Sequence, residues 1–481
     1  MSTDLTTLGI KEAHDGLKKG DFTAVELAHA CVKEIEATNP EMNALIEVFD
    51  DVIDQAKEAD GRIKKAGKNL NILDGVPLVL KDNILIKGRV ATSGSKILKD
   101  YRATYDATVT KRLREAGAVF IGRANMDEFA MGSSTETSVY GPTMNPHGTK
   151  RVPGGSSGGS AATVAAHMAP AALGSDTGGS IRQPGAFCGV VGLKPTYGTV
   201  SRYGLMAMAS SLDQIGPLTR SVEDAELLFR SIASYDPMDS TSLTNEIRND
   251  LAPKENKKSL TIGIPMKFVD TEGVDADVLD QFNRAVATLK EAGHTVTEID
   301  LEDIESSLAV YYIIMPAEAS TNLARFDGVR YGFHVDGTDL LADYMESRGQ
   351  GFGKEVRRRI LLGTYVLSSG YYDAYYNKAV AVKTRLQETF AGAFTKVDAI
   401  MTPTAPTPAF SVGEKTSDPL AMYLADIFTV PANLVGIPAL SVPFGSVDRA
   451  GDTLPVGIQF MGPHMHEDTL FTLGKALEER A

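Results

Sequence analysis

Residues 152–175 read VPGGSSGGSAATVAAHMAPAALGS and contain no Asp, Glu, Lys or Arg. A stretch of 24 uncharged residues this rich in Gly, Ala and Ser cannot be surface loop throughout, because surface connections are mostly polar. We predict a glycine-rich loop, then a tightly packed small-residue helix over about 160–168, a break at Pro170, and a buried strand over about 171–175. Buried small-residue segments of this kind sit at the centre of a fold.

Upstream of this stretch, apolar segments alternate with helical patterns. The run VPLVL at 76–80 is continuous and apolar, as expected for a strand covered on both faces. Residues 108–116 predict a helix that Gly117 closes, and 118–122 predict the next buried strand; 259–264 and 399–401 look like further strands. This alternation indicates an α/β fold with a mostly parallel sheet.

The two flanks of the chain are predicted to be helical. Residues 5–67 carry apolar stripes at helical spacing, with Thr23 as the N-cap of a helix over 24–37 and another helix over about 50–64. Residues 303–392 are mostly helical and rich in tyrosine. The length of 481 residues by itself favours two to four domains.

Composition limits the classes of protein that fit. The formal charge of -14 argues against a chain that grips nucleic acid or an anionic membrane by itself. Two cysteines exclude a disulfide scaffold and a zinc cluster built on several thiolates. The first 25 residues lack an apolar run behind a basic start, and we find no run of about 18 apolar residues, so we expect a cytoplasmic enzyme-sized protein.

The glycine-rich loop at 154–160 permits several interpretations. It can be a flexible loop, or a phosphate cradle, but no Gly-Lys-Ser/Thr follows and a Walker loop is excluded. Residues 155–159 also fit the G-x-S-x-G pattern of a nucleophile elbow. An elbow requires a preceding strand, and the sequence of 145–153, NPHGTKRVP, does not predict one.

A second candidate follows the predicted strand, at 174–184, GSDTGGSIRQP. Gly178 and Gly179 allow backbone N–H groups to converge on one spot because no Cβ blocks the approach. Ser180 is a natural N-cap, and Pro184 suits the first turn of a helix. The segment therefore predicts either an anion site that could hold an oxyanion or simply a capped helix after a turn.

The third candidate is Lys81, at the end of the VPLVL strand. It could pair with the adjacent Asp82, or it could be a desolvated lysine that acts as a base with a depressed pKa. No histidine is convincingly placed to activate a serine. The sequence HMHE at 464–467 is a weak metal pattern without a helical motif, and we predict no metal site.

These segments together resemble the amidase signature family. The resemblance rests on VPLVLKDN (76–83), VPGGSSGGSAA (152–162) and GSDTGGSIRQPGAFCGVVGLKPTYG (174–198), and it covers nearly the whole chain. It implies one large α/β domain over 1–481, built on a mixed sheet covered by helices on both faces, which replaces the estimate from length. Within it we expect an N-terminal helical segment (1–70), a catalytic core (71–220) and a tyrosine-rich helical part that lines the substrate pocket (303–392).

The resemblance also implies a Ser–cis-Ser–Lys mechanism. Ser180 would be the nucleophile, Ser156 would pass its proton on, and Lys81 would accept it as a neutral amine. Ser157 is the rival of Ser156, which we choose because the family pattern places the cis serine first in the pair. The backbone amides of the nucleophile loop would hold the oxyanion: Thr177, Gly178, Gly179 and Ser180 itself.

Four further blocks, at 125–138, 311–332, 355–379 and 426–445, are similar to the glutaminase subunits of tRNA-dependent amidotransferases. This similarity implies hydrolysis of glutamine, with ammonia passed to a partner that converts Glu-tRNA(Gln) to Gln-tRNA(Gln). The partners would be a larger tRNA-binding subunit and a small bridging subunit in a heterotrimer. No cofactor is expected in this chain, and ATP and Mg would be used by the partner.

The substrate contacts implied by this similarity are Arg359 and Asp426 for the α-groups of glutamine, with Tyr311 nearby and Ser133 in the same pocket. Arg357 and Arg358 stay open as alternatives to Arg359, and Tyr312 stays open as an alternative to Tyr311. A stand-alone amidase acting on a small amide is the alternative function. A non-catalytic scaffold is disfavoured because all three reactive residues are present.

Overall fold

One sheet of 11 strands organises the part of the chain that this computed structural model describes, residues 4–67, 69–148, 150–253 and 257–480. The strands are β1 (Leu45–Val48), β2 (Pro77–Lys81), β3 (Val119–Ala124), β4 (Ala171–Asp176), β5 (Val191–Lys194), β6 (Gln214–Thr219), β7 (Thr261–Ile264), β8 (Thr295–Glu298), β9 (Ala399–Pro403), β10 (Ala439–Arg449) and β11 (Asp452–Met461). Across the sheet their order is β1-β3-β2-β4-β6-β5-β10-β11-β9-β7-β8.

The helices that connect and cover these strands are α1 (Ile10–Lys19), α2 (Ala24–Met42), α3 (Val52–Ala66), α4 (Thr108–Glu115), α5 (Gly158–Ala165), α6 (Arg182–Cys188), α7 (Val222–Ile232), α8 (Asn245–Leu251), α9 (Met266–Val269), α10 (Ala276–Glu291), α11 (Ser307–Asn322), α12 (Leu340–Gly351), α13 (Lys354–Val366), α14 (Lys378–Ala393), α15 (Pro419–Leu424), α16 (Val430–Val435) and α17 (Glu467–Glu478). A π-helical turn occupies Tyr372–Asn377. Within the described ranges, no helix is both long and apolar enough to cross a bilayer.

The α/β class is confirmed, but the expectation of a mostly parallel sheet is wrong. Of the ten neighbouring strand pairs described, six are antiparallel and four are parallel. The alternation seen in the sequence does produce parallel pairing of β2 with β3 and β4. Parallel pairing also joins β7 to β8 and β9. Antiparallel pairing includes the long hairpin of β10 and β11, which turns at Ala450 and Gly451, both with positive φ.

The predicted central elements are confirmed close to their expected bounds. Thr23 caps α2 by accepting the N–H of Glu26, and the uncharged stretch forms α5 and the fully buried β4. The described residues of the N-terminal segment 1–70 include α1, α2 and α3, and also β1, which pairs antiparallel with β3. A first apolar cluster packs α1, α2, α3, α5 and α7 with the sheet, and a second joins α11, α14 and α16. The division of the chain into the three named parts remains a prediction.

Candidate active site

The sheet brings two segments with reactive side chains to the same edge. β2 and β4 are parallel neighbours, with Leu80 opposite Leu173. Because parallel strands end on the same side of a sheet, Lys81 at the end of β2 lies beside Ser175 near the end of β4, with 3.0 Å between Lys81 Nζ and Ser175 Oγ. Both strands are completely buried, which is why their sequences lack an alternation of polar and apolar residues.

The amino group of Lys81 is surrounded by hydroxyl groups. Its Nζ lies 2.7 Å from Ser156 Oγ and 2.8 Å from Ser157 Oγ. The pairing with Asp82 considered from the sequence is not formed, since the carboxylate of Asp82 instead binds the guanidinium of Arg123. Successive side chains of a strand point to opposite sides, which explains how adjacent residues serve different networks.

Burial controls the protonation of Lys81. The side chain has no exposed surface. Desolvation lowers its pKa to about 7, although the negative charges of Asp127, Asp176 and Asp213 act in the opposite direction. A substantial fraction of this lysine is therefore uncharged near neutral pH, so it is able to accept a proton.

The structure distinguishes the two serines of the glycine-rich loop. Ser157 Oγ donates to the carbonyl of Ser175 at 3.1 Å and accepts the N–H of that residue at 3.3 Å. In the described part of the chain, the hydroxyl of Ser156 has Lys81 as its one hydrogen-bonding partner. The Gly155–Ser156 peptide bond is cis. The hydrogen of Ser157 is thus engaged with a backbone carbonyl, while Ser156 is the serine whose proton Lys81 can take.

Ser180 follows β4 in a loop that contacts the glycine-rich loop. Its carbonyl accepts the N–H of Ser157 at 3.1 Å. Ser180 is 8% exposed, against 0% for both Lys81 and Ser156, so it is the least buried member of this group. The expectation that Ser180 is a helix N-cap is wrong, because α6 begins only at Arg182.

Asp176 occupies the start of α6. Its carboxylate accepts the N–H groups of Gly179 at 2.9 Å and of Ile181 at 3.1 Å, and pairs with the buried guanidinium of Arg182 at 2.9 Å. Burial by itself would raise the pKa of the Asp176 carboxyl, but the guanidinium of Arg182 outweighs this effect and lowers the pKa to about 2. The start of α6 therefore already holds the carboxylate of Asp176, and the donors left for an oxyanion are N–H groups of the preceding loop.

The amides predicted to hold an oxyanion divide into two groups. The N–H of Gly179 donates to Asp176, so it is not available to bind an oxyanion. Among the described residues, the N–H groups of Thr177, Gly178 and Ser180 have no acceptor. The ring of Tyr311 packs on Gly178, where a Cβ would lie 2.7 Å from its Cζ atom. Three unpaired amides thus remain around the nucleophile loop.

Asp426 and Ser133 form a buried pair near this loop. Ser133 Oγ donates to Asp426 Oδ2 at 2.5 Å, and the other carboxylate oxygen, Oδ1, is buried without a partner among the described residues. Burial raises the pKa of Asp426 to about 7. An unsatisfied buried carboxylate oxygen is expensive to maintain, and it is the kind of group that a cationic ligand would satisfy.

Of the three consecutive arginines, only Arg359 points into the interior. It is 3% exposed, its Nε donates to Glu355 at 2.8 Å, and its guanidinium lies 5.5 Å from the ring centre of Tyr423. Arg357 is exposed, and Arg358 is half-buried and also pairs with Glu355. The geometry therefore favours Arg359 over its two neighbours as a buried contact.

Tyr311 and Tyr312 differ in the surface that they face. Tyr311 is buried against Gly178, whereas the ring of Tyr312 stacks on Tyr423 with 3.8 Å between centroids. A cavity of about 250 Å³ beside them is lined by Ser133 and Arg359, together with Glu128, Gly132, Ser134, Glu136, Thr137, Gly353, Lys354, Glu355, Arg358, Lys415, Thr416, Pro419, Met422 and Tyr423. Asp426 and Tyr311 do not line this cavity.

Several residues of the site were missed from the sequence. Asp176 carried the clearest signal in the sequence, because it is the first charged residue after 24 uncharged ones and lies two positions before a pair of glycines. Asp127 was missed as well: its carboxylate accepts the N–H groups of Ser134 and Thr135 and shapes the loop that contains Ser133. Glu355 and Ser175 carried no sequence signal, since their partners are distant along the chain.

The HMHE sequence at 464–467 does not form a ligand cluster. Glu467 instead accepts the N–H of Thr196 at 2.8 Å. No group of three or more His, Cys, Asp or Glu side chains that could hold a metal ion occurs among the residues described.

The chain is similar over almost its whole length to known proteins. The model of the amidase family matches residues 26–471. A curated protein of Carboxydothermus hydrogenoformans, named as the A-subunit of glutamyl-tRNA(Gln) amidotransferase, is 52% identical over 99% of this chain and 98% of its own length. One of the same name from Microcystis aeruginosa is 51% identical over 98% of this chain and 97% of its own.

Solved structures are similar over the whole chain as well. The crystal structure of the glutamyl-tRNA(Gln) amidotransferase A-subunit from Thermotoga maritima has a TM-score of 0.81 and 41% identity, and covers 100% of this chain and 96% of that one. A crystal structure described as an amidase has a TM-score of 0.82 and 30% identity, with 98% and 100% covered. The TM-scores to the amidotransferase A-subunit and to the amidase are nearly equal, so the fold does not distinguish these two kinds of protein. Sequence identity does, because it is higher with the A-subunit.

Proposed function

The chain belongs to the amidase signature family, and from this premise we propose that it hydrolyses glutamine to glutamate and ammonia as the glutaminase subunit of a tRNA-dependent amidotransferase. The observation that carries the chemistry is the buried amino group of Lys81, 2.7 Å from the hydroxyl of Ser156. The choice of reaction is supported by full-length relatives about half identical to this chain that are named as A-subunits of glutamyl-tRNA(Gln) amidotransferase.

In the proposed acylation step, neutral Lys81 takes the hydroxyl proton of Ser156, which in turn takes the proton of Ser180. Ser180 Oγ then attacks the side-chain carbonyl carbon of glutamine, and the carbonyl oxygen becomes an oxyanion. The N–H groups of Thr177, Gly178 and Ser180 stabilise that charge. We omit Gly179 from this role because its N–H donates to Asp176.

Collapse of the tetrahedral intermediate breaks the carbon–nitrogen bond. The proton held by Lys81 returns through Ser156 to the leaving nitrogen, which departs as ammonia and leaves a glutamyl ester on Ser180. Water then attacks the ester carbonyl, its proton passes to Lys81 by the same route, and protonation of Ser180 releases glutamate. Lys81 gives up and accepts one proton in each half of the cycle, so a pKa near 7 suits both directions.

Recognition of free glutamine is assigned to the buried charges beside this centre. Arg359 would bind the α-carboxylate and Asp426 the α-ammonium, whose charge would satisfy the unpaired Oδ1 atom. Tyr311, packed on Gly178, would form the wall between the α-groups and the reacting amide. Ser133 orients Asp426 through its 2.5 Å hydrogen bond.

We also propose partner subunits, because curated relatives of this chain are named as subunits of an amidotransferase. A larger subunit would bind tRNA and use ATP and Mg to activate the carboxylate of Glu-tRNA(Gln), and a small subunit would bridge the two in a cytoplasmic heterotrimer. This chain would contribute no cofactor. Its formal charge of -14 suits a protein that leaves tRNA binding to a partner.

The experiment that tests the chemistry uses a glutamine-like electrophile, followed by peptide mapping. The label is expected on Ser180, and Ser180→Ala is expected to abolish both labelling and ammonia release from glutamine. A label on Ser156, Ser157 or Cys188 would overturn the assignment. Efficient hydrolysis of small amides with no activity on glutamine would favour the stand-alone amidase.

A further inference from the structure

Thr429, which precedes α16, lies between the nucleophile loop and Asp426. Its side chain is completely buried, and its Oγ1 lies 2.6 Å from the carbonyl oxygen of Gly178 and 3.1 Å from that of Asp426. The Gly178 carbonyl belongs to the same peptide unit as the N–H of Gly179, which donates to Asp176 at 2.9 Å. This peptide unit is therefore held at both ends.

Two neighbouring peptide units carry the amides that face the proposed oxyanion. The Gly178 N–H lies in the unit before the held peptide, and the Ser180 N–H lies in the unit after it. Each peptide is planar, so a rotation of the Gly178–Gly179 unit can be absorbed only by the dihedrals of its flanking residues, which redirects both neighbouring N–H groups. Fixing the central peptide thus fixes the direction of the donors on either side.

The backbone of Thr429 is anchored independently of its hydroxyl. Its N–H donates to the carbonyl of Asp426 at 3.1 Å, and its carbonyl accepts Nη1 of Arg182 at 2.8 Å. Gly179 has a φ of +143°, and a Cβ there would lie 2.2 Å from Thr429 Oγ1. Gly179, which has no Cβ, therefore leaves room for the Thr429 hydroxyl. The backbone contacts that hold Thr429 in place do not depend on that hydroxyl.

We propose that Thr429 is a positioning residue for amide hydrolysis: its hydroxyl fixes the Gly178–Gly179 peptide and thereby aims the oxyanion-holding N–H groups. This inference rests on the function proposed above. Preorganised donors of an oxyanion are worth more than their ground-state hydrogen bonds because the charge develops only in the transition state. Loss of the hydroxyl should therefore affect kcat rather than substrate binding.

The first test compares Thr429→Val, which keeps the side-chain shape, with Thr429→Ser, which keeps the hydroxyl. Deleting one oxyanion donor outright costs roughly 100-fold in kcat, so disturbing the donors should cost about 10-fold. We expect Thr429→Val to lower kcat by that factor with KM for glutamine little changed, and to slow a simple amide without α-groups by the same factor. Thr429→Ser should restore both rates.

A matched control removes a buried hydroxyl elsewhere. Thr110 on α4 is also completely buried, and its Oγ1 donates to the carbonyl of Leu85 at 2.9 Å. Thr110→Val should lower thermal stability without a change in kcat. If Thr429→Val does not fold, Thr429→Ala serves in its place, with circular dichroism of each variant confirming the native fold before rates are compared.

A second measurement needs no glutamine. A fluorophosphonate reacts with an activated serine and generates charge on its phosphoryl oxygen, so its labelling rate at Ser180 should fall in Thr429→Val and recover in Thr429→Ser. Equal labelling rates in wild type and Thr429→Val would overturn the inference, as would an effect confined to the KM for glutamine. A wild-type chain that is labelled at Ser180 but releases no ammonia from glutamine, either alone or with its partners, would overturn the proposed function. The labelling comparison would still decide the role of Thr429.

Discussion

The amino group of Lys81 and the hydroxyl of Ser156 lie 2.7 Å apart in a site where neither side chain has exposed surface. Desolvation lowers the pKa of Lys81 to about 7, so the neutral amine is well populated at ordinary pH. A neutral amine at hydrogen-bonding distance can take the serine proton without any rearrangement. In the proposed mechanism, this lysine takes the place of the histidine that a serine hydrolase commonly uses.

The first prediction concerns Lys81→Arg and Lys81→Ala. Arginine keeps a positive charge but cannot give up its proton, so both variants should lose roughly 100-fold or more in glutamine hydrolysis. Ammonia release measured at saturating glutamine checks this. The matched control is Lys267→Arg, because Lys267 is an exposed lysine paired with Asp300, and its rate should stay at the wild-type level. Activity close to wild type in Lys81→Arg would remove Lys81 from the base role.

The second prediction separates the two adjacent serines. Ser156→Ala should lower kcat by roughly 100-fold or more, because the proton path from Ser180 to Lys81 is interrupted. Ser157→Ala should have a much smaller effect on kcat and instead lower the melting temperature, because it removes two hydrogen bonds to the backbone of Ser175. Kinetics and thermal melting of the two variants decide the matter. The reverse pattern would make Ser157 the relay.

Sequence reasoning succeeded where the chemistry depends on neighbours in the chain. The apolar run before Lys81 and the uncharged stretch that ends at Ser175 predicted two buried strands, and both form. The sequence could not show that these strands are parallel neighbours, which is what brings Lys81 beside Ser175. Pairing between strands depends on contacts nearly a hundred residues apart, and periodicity carries no information about them.

The errors at the site have a common physical origin. The pattern of Gly178, Gly179 and Ser180 predicted clustered amides, but it could not show that the carboxylate of Asp176 accepts one of them. That carboxylate takes the N–H of Gly179 and the start of α6, so Ser180 is not the N-cap. A buried acid will accept whichever donors surround it, since leaving its oxygens unpaired is costly.

The third prediction concerns Arg359 and Asp426. Arg359→Ala and Asp426→Asn should mainly raise KM for glutamine, because each removes one charge-assisted contact to an α-group. Hydrolysis of a simple amide without α-groups should be nearly unchanged in both. Arg357→Ala is the matched control for Arg359, since Arg357 is exposed and should leave both substrates unaffected. An equal loss with both substrates would assign these residues to the structure or the bond-breaking step.

The fourth prediction follows from two pKa values near 7. Burial lowers the pKa of Lys81 and raises that of Asp426, each to about 7. The active forms, a neutral amine and an ionised carboxylate, are both favoured as the pH rises. The kcat/KM for glutamine should therefore rise with pH. Below about pH 7, the plot of log(kcat/KM) against pH should approach a slope of 2, and the plot of log kcat at saturating glutamine should have a slope near 1.

Asp426→Asn provides the control for this profile. It removes one of the two titrating groups, so the slope of kcat/KM should fall to about 1 while the midpoint for Lys81 stays near 7. A flat profile between pH 6 and 8 in the wild type would contradict the role of Lys81.

The negative charges of Asp127, Asp176 and Asp213 limit how far burial lowers the pKa of Lys81.

The last prediction concerns the complex. Ammonia diffuses away once released, so an enzyme that needs it for synthesis gains by forming it inside an assembly with its consumer. We expect the chain to form a stable complex with a tRNA-binding, ATP-using subunit and a small bridging subunit, and not to bind tRNA alone, because its formal charge is -14. The rate of glutamine hydrolysis should rise when the partners are added, and again with Glu-tRNA and ATP. Gel filtration and ammonia release in the three conditions provide the test, with Ser180→Ala in the same complex as the control for background hydrolysis. Equal rates throughout, with no complex on gel filtration, would instead establish a self-sufficient amidase.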